Sequence, residues 1–197
     1  MSAASGDPAP RMGLRERVPF YAVASRLLLH EVDEAFYAVL TVPPVRTLWV
    51  GLDAGCEAWF AQPWEEPFAA ALREEYARLF VLPSGTPPFA SAWLEGDRDA
   101  LGAQVHGLVT SALEALGREP RVAEPWGRVP LDHLGLLFDL VVTAVEQGGP
   151  AGFEVAQHLD RELLGPWLGR FGDALAREAA LPVYRGLGRL LVDLEGA

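Results

Sequence analysis

The sequence predicts an all-α fold, a single-domain bundle of roughly eight to ten helices. Three observations carry that prediction. Apolar residues recur at helical spacing from Leu14 onward, no run alternates strictly as a half-buried strand would, and the connectors between periodic stretches are short. At 197 residues the chain is long enough for one domain with a full core, or at most two small ones. Half of it is hydrophobic and only 22% is charged, a balance that excludes wholesale disorder.

Residues 1–13 are small, carry Pro and Gly and show no period, so they are expected to form a disordered tail ahead of a helical domain over 14–197. "LRERVPFYAVASRLLLHEVDEAFYAVL" follows as one or two helices, with Pro19 near the start of the first. "EEPFAAALREEYARLF" opens with acidic residues and a proline, as a first helical turn often does. The clearest helix follows Asp97, a good N-cap. Leu101, Val105, Leu108, Ala112 and Leu116 lie on one face of it, and Gly117 stands where a C-terminal cap belongs. "LDHLGLLFDLVVTAVEQ" stops at Gly148-Gly149-Pro150, read as a connector. "FEVAQHLDRELL" is parted by Gly165-Pro166 from "WLGRFGDALAREA", and "PVYRGLGRLLVDLE" is a further helix.

Two stretches break the period. "VLPSGTPPFAS" (81–91) holds three prolines and a glycine, and "GREPRVAEPWGRVP" (117–130) three prolines and two glycines. Proline presets the backbone, so both read as ordered loops, and long ordered loops are more often functional than short ones. Trp93 and Trp126 flank them and are candidates for a partly exposed apolar surface on which a peptide docks.

Charge narrows the partners. All 16 basic residues are arginine, against 27 acidic ones, for a net charge of −11. Such a surface repels nucleic acid and anionic lipid and attracts basic segments. Cys56 is the single cysteine, which excludes an intramolecular disulfide and a cysteine-based metal cluster and fits a reducing, cytoplasmic home. The first residues lack the apolar run of a secretory signal. The most apolar stretch, "LLFDLVVTAV", is too short for a bilayer span, which needs about 20 residues. Stable membrane insertion is not expected.

The chain has no GxSxG elbow and no phosphate-binding lysine motif. His158/Glu162 and His30/Glu34 sit one helical turn apart, but no third metal ligand is evident and zinc needs three or four. Neither a cofactor nor a metal is expected. Asp132-His133, at the start of the most apolar helix, admits two readings. Asp132 caps a helix starting at His133, followed by Leu134, Leu137, Phe138, Val141 and Val145 on its apolar face. Alternatively the pair, with a third group from 117–130, serves a helical enzyme or metalloprotein.

Placed side by side, three segments resemble the TorD/DmsD (NarJ-like) family of molybdoenzyme maturation chaperones. "EEYARLFVLPSGTPPFASAW" (74–93) is similar to the family's E-Y-x-x-L-F…P…S-x-Y pattern. "EPWGRVPLDHLGLLFDLV" (124–141) is similar to its E-P-x-D-H-L-G segment, and "HLDRELLGPWLGRF…PVYRGLGRLL" (158–191) to its later helices. The chain departs at Leu82, where glycine is usual, at Trp93 in place of tyrosine, and at Val129 in place of an acid.

The resemblance implies a cytoplasmic all-α chaperone with no catalytic residue. It would bind an apo molybdopterin oxidoreductase catalytic subunit, through a twin-arginine signal peptide or a related N-terminal segment, and hold back export until the cofactor is loaded. It places Tyr76, Leu79, Phe80, Pro83 and Trp93 on or beneath the peptide groove, with Glu124, Pro125 and Trp126 beside it. Asp132, His133 and Leu134 would be its floor or hinge. It allows a monomer or a helix-swapped dimer, with Gly148-Gly149-Pro150 as the hinge.

Overall fold

The computed structural model describes residues 12–94, 98–117 and 130–196. Residues 1–11 of the expected tail, the Asp97 cap, and Glu124, Pro125 and Trp126 lie outside that set. The described residues form eleven α-helices and no strand, within a single helical domain. In order these are α1 (Leu14–Leu29), α2 (Glu34–Leu40), α3 (Pro43–Leu52), α4 (Gly55–Trp59), α5 (Glu66–Tyr76), α6 (Ala90–Trp93), α7 (Arg98–Ala115), α8 (Leu134–Gln147), α9 (Gly149–His158), α10 (Leu168–Glu178) and α11 (Pro182–Gly196). Two wider π turns, Ala77–Val81 and Leu159–Leu164, continue α5 and α9.

Local chemistry sets the breaks. The first long stretch becomes two helices because Asp33 stops and restarts the chain: its carboxylate accepts the Phe36 N–H at 2.7 Å and caps α2. Pro19 sits inside α1 rather than at its edge, so that helix lacks one backbone donor there. Gly117 takes φ +64° after α7, the left-handed conformation that a C-terminal cap requires. Gly149 does likewise at φ +56°, and α9 follows α8 with Gly148 alone between them. The count exceeds the sequence estimate because α4 and α6 are single turns, too short to leave a period.

Packing is built on two close pairs. The α10–α11 contact is the most extensive and needs glycine at both sides of the crossing. A Cβ on Gly172 would stand 2.6 Å from the Gly188 carbonyl oxygen, and one on Gly188 would stand 2.5 Å from that of Gly172. The α1–α8 pair comes next. Tyr21 stacks on Phe138 with ring centroids 4.8 Å apart, and the Ser25 hydroxyl donates to the Gly135 carbonyl at 2.8 Å. One continuous core runs from Leu14 to Leu194 and includes the fully buried Trp49, which donates its indole N–H to Val183 O at 3.1 Å.

Candidate functional site

The loop over 81–91 and the Asp132-His133 segment, 41 residues apart between Ser91 and Asp132, are stitched together. Leu134 N donates to Pro88 O at 2.7 Å, Ala90 N donates to Asp132 O at 2.9 Å, and Phe89 and His133 form an antiparallel bridge. The Asp132 carboxylate accepts from the Ser91 hydroxyl at 2.6 Å and from the Ser91 N–H at 3.2 Å. The Phe89 ring meets the His133 imidazole edge-on, centroids 5.4 Å apart.

This geometry corrects the expected cap. α8 starts at Leu134, and its N-cap is His133, whose Nδ1 accepts the Gly135 N–H at 3.1 Å. Asp132 does not cap, because both Ser91 donors hold its carboxylate. His133 is 8% exposed, and burial drives its pKa down to about 4, although nearby Asp132 works the other way. It is therefore a neutral acceptor at neutral pH. Gly135 is required next to it, since a Cβ there would stand 2.6 Å from the Leu29 side chain.

The loop is anchored from below as well. Thr86 N donates to Leu79 O at 2.7 Å, the Thr86 hydroxyl donates to the Glu178 carboxylate at 2.9 Å, and Gly85 sits so close to the Arg78 and Leu79 carbonyls that no side chain fits. Trp93 is half-buried. Its indole N–H donates to Pro87 O at 2.7 Å and its ring stands edge-on to Phe171.

Tyr76, Leu79, Phe80 and Leu134 are core residues at this corner rather than open walls. Tyr76 donates its hydroxyl to Leu28 O at 3.0 Å, Phe80 packs edge-on against Tyr184, and Leu79 and Leu134 are fully buried. Pro83 is exposed, and so are its neighbours Val81 at 54% and Leu82 at 52%, an apolar shoulder at the end of the first π turn. Sequence reasoning named Pro83 on this loop but not the exposed Val81 and Leu82 beside it, nor Ser91 and Glu75. Glu75 is 6% exposed and accepts the Ala180 and Leu181 N–H groups at 2.5 and 3.2 Å, pinning the start of α11 to α5. Burial works to raise its pKa, but the Arg78 guanidinium and those two amides outweigh it and hold the carboxyl below its usual range. The signal for Glu75 was present in the "EYARLF" motif, but nothing in sequence ties it to position 180.

Among the described residues no three His, Cys, Asp or Glu side chains converge as metal ligands. The polar groups named at this corner are engaged with each other or with backbone, and Val81, Leu82 and Pro83 stand exposed beside them. An exposed apolar patch on an ordered loop is the kind of surface that a partner segment can cover. The nitrate reductase delta subunit family matches residues 42–173, and the chain belongs to that family. It is a family of molybdoenzyme maturation chaperones, not of enzymes, and the partner is of molybdoenzyme kind. A search among curated proteins returned no match.

Proposed function

We propose that this chain is a cytoplasmic chaperone that binds an N-terminal segment of an apo molybdenum-cofactor catalytic subunit, a twin-arginine signal peptide or its equivalent, and delays export or membrane attachment until the cofactor is in place. The observation that carries the reading is the apolar shoulder Val81-Leu82-Pro83 with Trp93 nearby in sequence, on a loop held rigid by the Asp132–Ser91 latch. Asp132 and His133 act by positioning that loop. No single helix among the described residues is long and apolar enough to cross a membrane.

Energetics favour an apolar grip. Exposed ion pairs contribute about 0–1 kcal/mol each, so two arginines do not hold a peptide alone. Burying a leucine-sized side chain offers about 1.5–3 kcal/mol, and micromolar binding requires about 8 kcal/mol net of ordering costs. Several such contacts are needed. The net charge of −11 then serves mainly to speed encounter with a basic leader.

The test is a tryptophan-fluorescence titration with a twin-arginine signal peptide, beside an Arg-Arg→Gln-Gln version and one with its apolar stretch scrambled. Saturable micromolar binding, lost on scrambling and only weakened by the glutamines, is the expected result. Leu79 is fully buried, so its replacement reports on folding, and the informative substitution is the exposed Leu82→Asp. We expect it to weaken binding about tenfold, the loss of one buried side chain. Equal binding of intact and scrambled peptides would sink the apolar grip.

A further inference from the structure

At the other end of α1 lies a second feature. Ser25 faces Gly135 and Tyr21 faces Phe138, so the two helices run antiparallel and Arg17 lies further still from the Asp132–His133 latch. Here α1, the second π turn and α11 border a pocket of about 450 Å³, the size of a small-ligand site.

Its base is a partly buried triad of Arg17, Asp160 and the fully buried Tyr21. Arg17 Nη2 donates to Asp160 Oδ2 at 2.7 Å, Arg17 Nη1 donates to Asp160 Oδ1 at 3.3 Å, and the Tyr21 hydroxyl donates to Asp160 Oδ1 at 2.5 Å. The triad is neutral as a unit, and the Arg17 Nε donor is buried without a partner. Leu14, Leu168 and Leu194 supply an aliphatic wall. Two exposed charges complete the lining: Arg161 from the π turn, and Glu195 from the last turn of α11, whose carboxylate lies where a Cβ on Gly169 would strike it. Among the described residues neither is in an ion pair. π turns inside α-helices are frequent at functional sites, and this one carries both Asp160 and Arg161.

The lining selects by charge. A ligand of one sign meets a like charge on one of the two elements, and like charges in close apposition are unfavourable. A ligand with one charge of each sign and an aliphatic body satisfies Arg161, Glu195 and the leucine wall together. We propose that this pocket binds a small aliphatic zwitterion, a free amino acid or dipeptide, with its carboxylate at Arg161 and its ammonium at Glu195. A volume of about 450 Å³ lies within the range of small-molecule sites and leaves room for a dipeptide. The proposal does not rest on the chaperone reading, since it concerns a different end of the bundle.

The experiment is calorimetric titration of the full chain with leucyl-leucine, N-acetyl-leucyl-leucine and leucyl-leucine amide. We expect saturable heat with the free dipeptide, and binding weaker by about tenfold with either capped form, the loss of one charge-assisted hydrogen bond. Arg161→Gln and Glu195→Gln, both at exposed positions that leave the core untouched, should each lower affinity for the free dipeptide by a similar factor, while Glu74→Gln elsewhere on the surface should not. Absence of saturable binding at millimolar dipeptide would overturn the proposal. So would equal binding of a capped form, which would indicate a peptide terminus instead, or unchanged affinity in both pocket variants.

Discussion

His133 shows how far a residue's surroundings can move it from its type. Buried, accepting from Gly135 through Nδ1 and facing the Phe89 ring, it resists protonation until about pH 4, whereas an unfolded chain protonates it near pH 6.5. The unfolded state therefore binds the extra proton first, and stability falls as pH drops from about 6.5 toward 4, then levels off. A shift of that size corresponds to roughly 3 kcal/mol, at about 1.4 kcal/mol per pH unit. Urea midpoints measured between pH 7 and pH 4 should show this loss. His133→Asn keeps an N-cap acceptor without a titrating ring and should flatten that part of the profile. A wild-type profile no steeper than the variant's would contradict the buried neutral imidazole. The sequence marked Asp132 and His133 as one unit at a helix start, and they are there. It did not reveal which of them caps, because the deciding partner, Ser91, is distant along the chain.

Elements rather than single residues explain the "EYARLF" motif. Its four marked positions all face inward: Glu75 to the α11 start, Tyr76 to the end of α1, Leu79 and Phe80 into the core beneath the loop. The π turn at Ala77–Val81 then turns Val81 and Leu82 outward. Glu75→Gln should therefore loosen the α5–α11 junction. The loss expected is about 1–3 kcal/mol at neutral pH, because buried amides and Arg78 lose a charged acceptor. The sign with pH is set by the depressed carboxyl. The stabilisation is present above the unfolded value near 4.5 and vanishes as pH falls through the lower folded value, so wild type and variant should converge in acid. Denaturation curves that stay parallel down to pH 3 would argue against that role. Long amphipathic helices such as α7 were legible from spacing alone. The single turns α4 and α6 and both π turns were not, because periodicity needs more residues than they contain, and neither was α3, which buries Trp49 alone and so leaves no period. The glycines of α10 and α11 were visible but unexplained until the two helices were seen to cross on them.

At the scale of the molecule, α1 lies outside the family-matched range yet packs along α8, and α11, also outside it, makes the most extensive contact of all with α10. Both contribute to the same core, so trimming the chain to 42–173 would strip one side from α8 and cut α10 short while removing its partner α11. The fold class was readable because the longest helices, α1, α7, α8 and α11, each carry apolar residues at helical spacing. The latch between loops was not, since the Ser91–Asp132 contact and the backbone bonds beside it join segments 41 residues apart, and no sequence pattern ties the two. Net charge acts on the same whole-molecule scale. If the −11 surface guides a basic leader and the apolar shoulder holds it, salt should separate the two roles. The Debye length shrinks from about 10 Å at 0.1 M to about 3 Å at 1 M salt, which screens steering while leaving burial intact. Stopped-flow fluorescence with the twin-arginine peptide should then show an association rate that falls steeply across that range, with a dissociation rate nearly constant. Leu82→Asp should give the opposite pattern, faster dissociation with little change in association beyond that of one added charge. A dissociation rate that climbs with salt as steeply as association falls would mean that ion pairs, not the shoulder, retain the peptide.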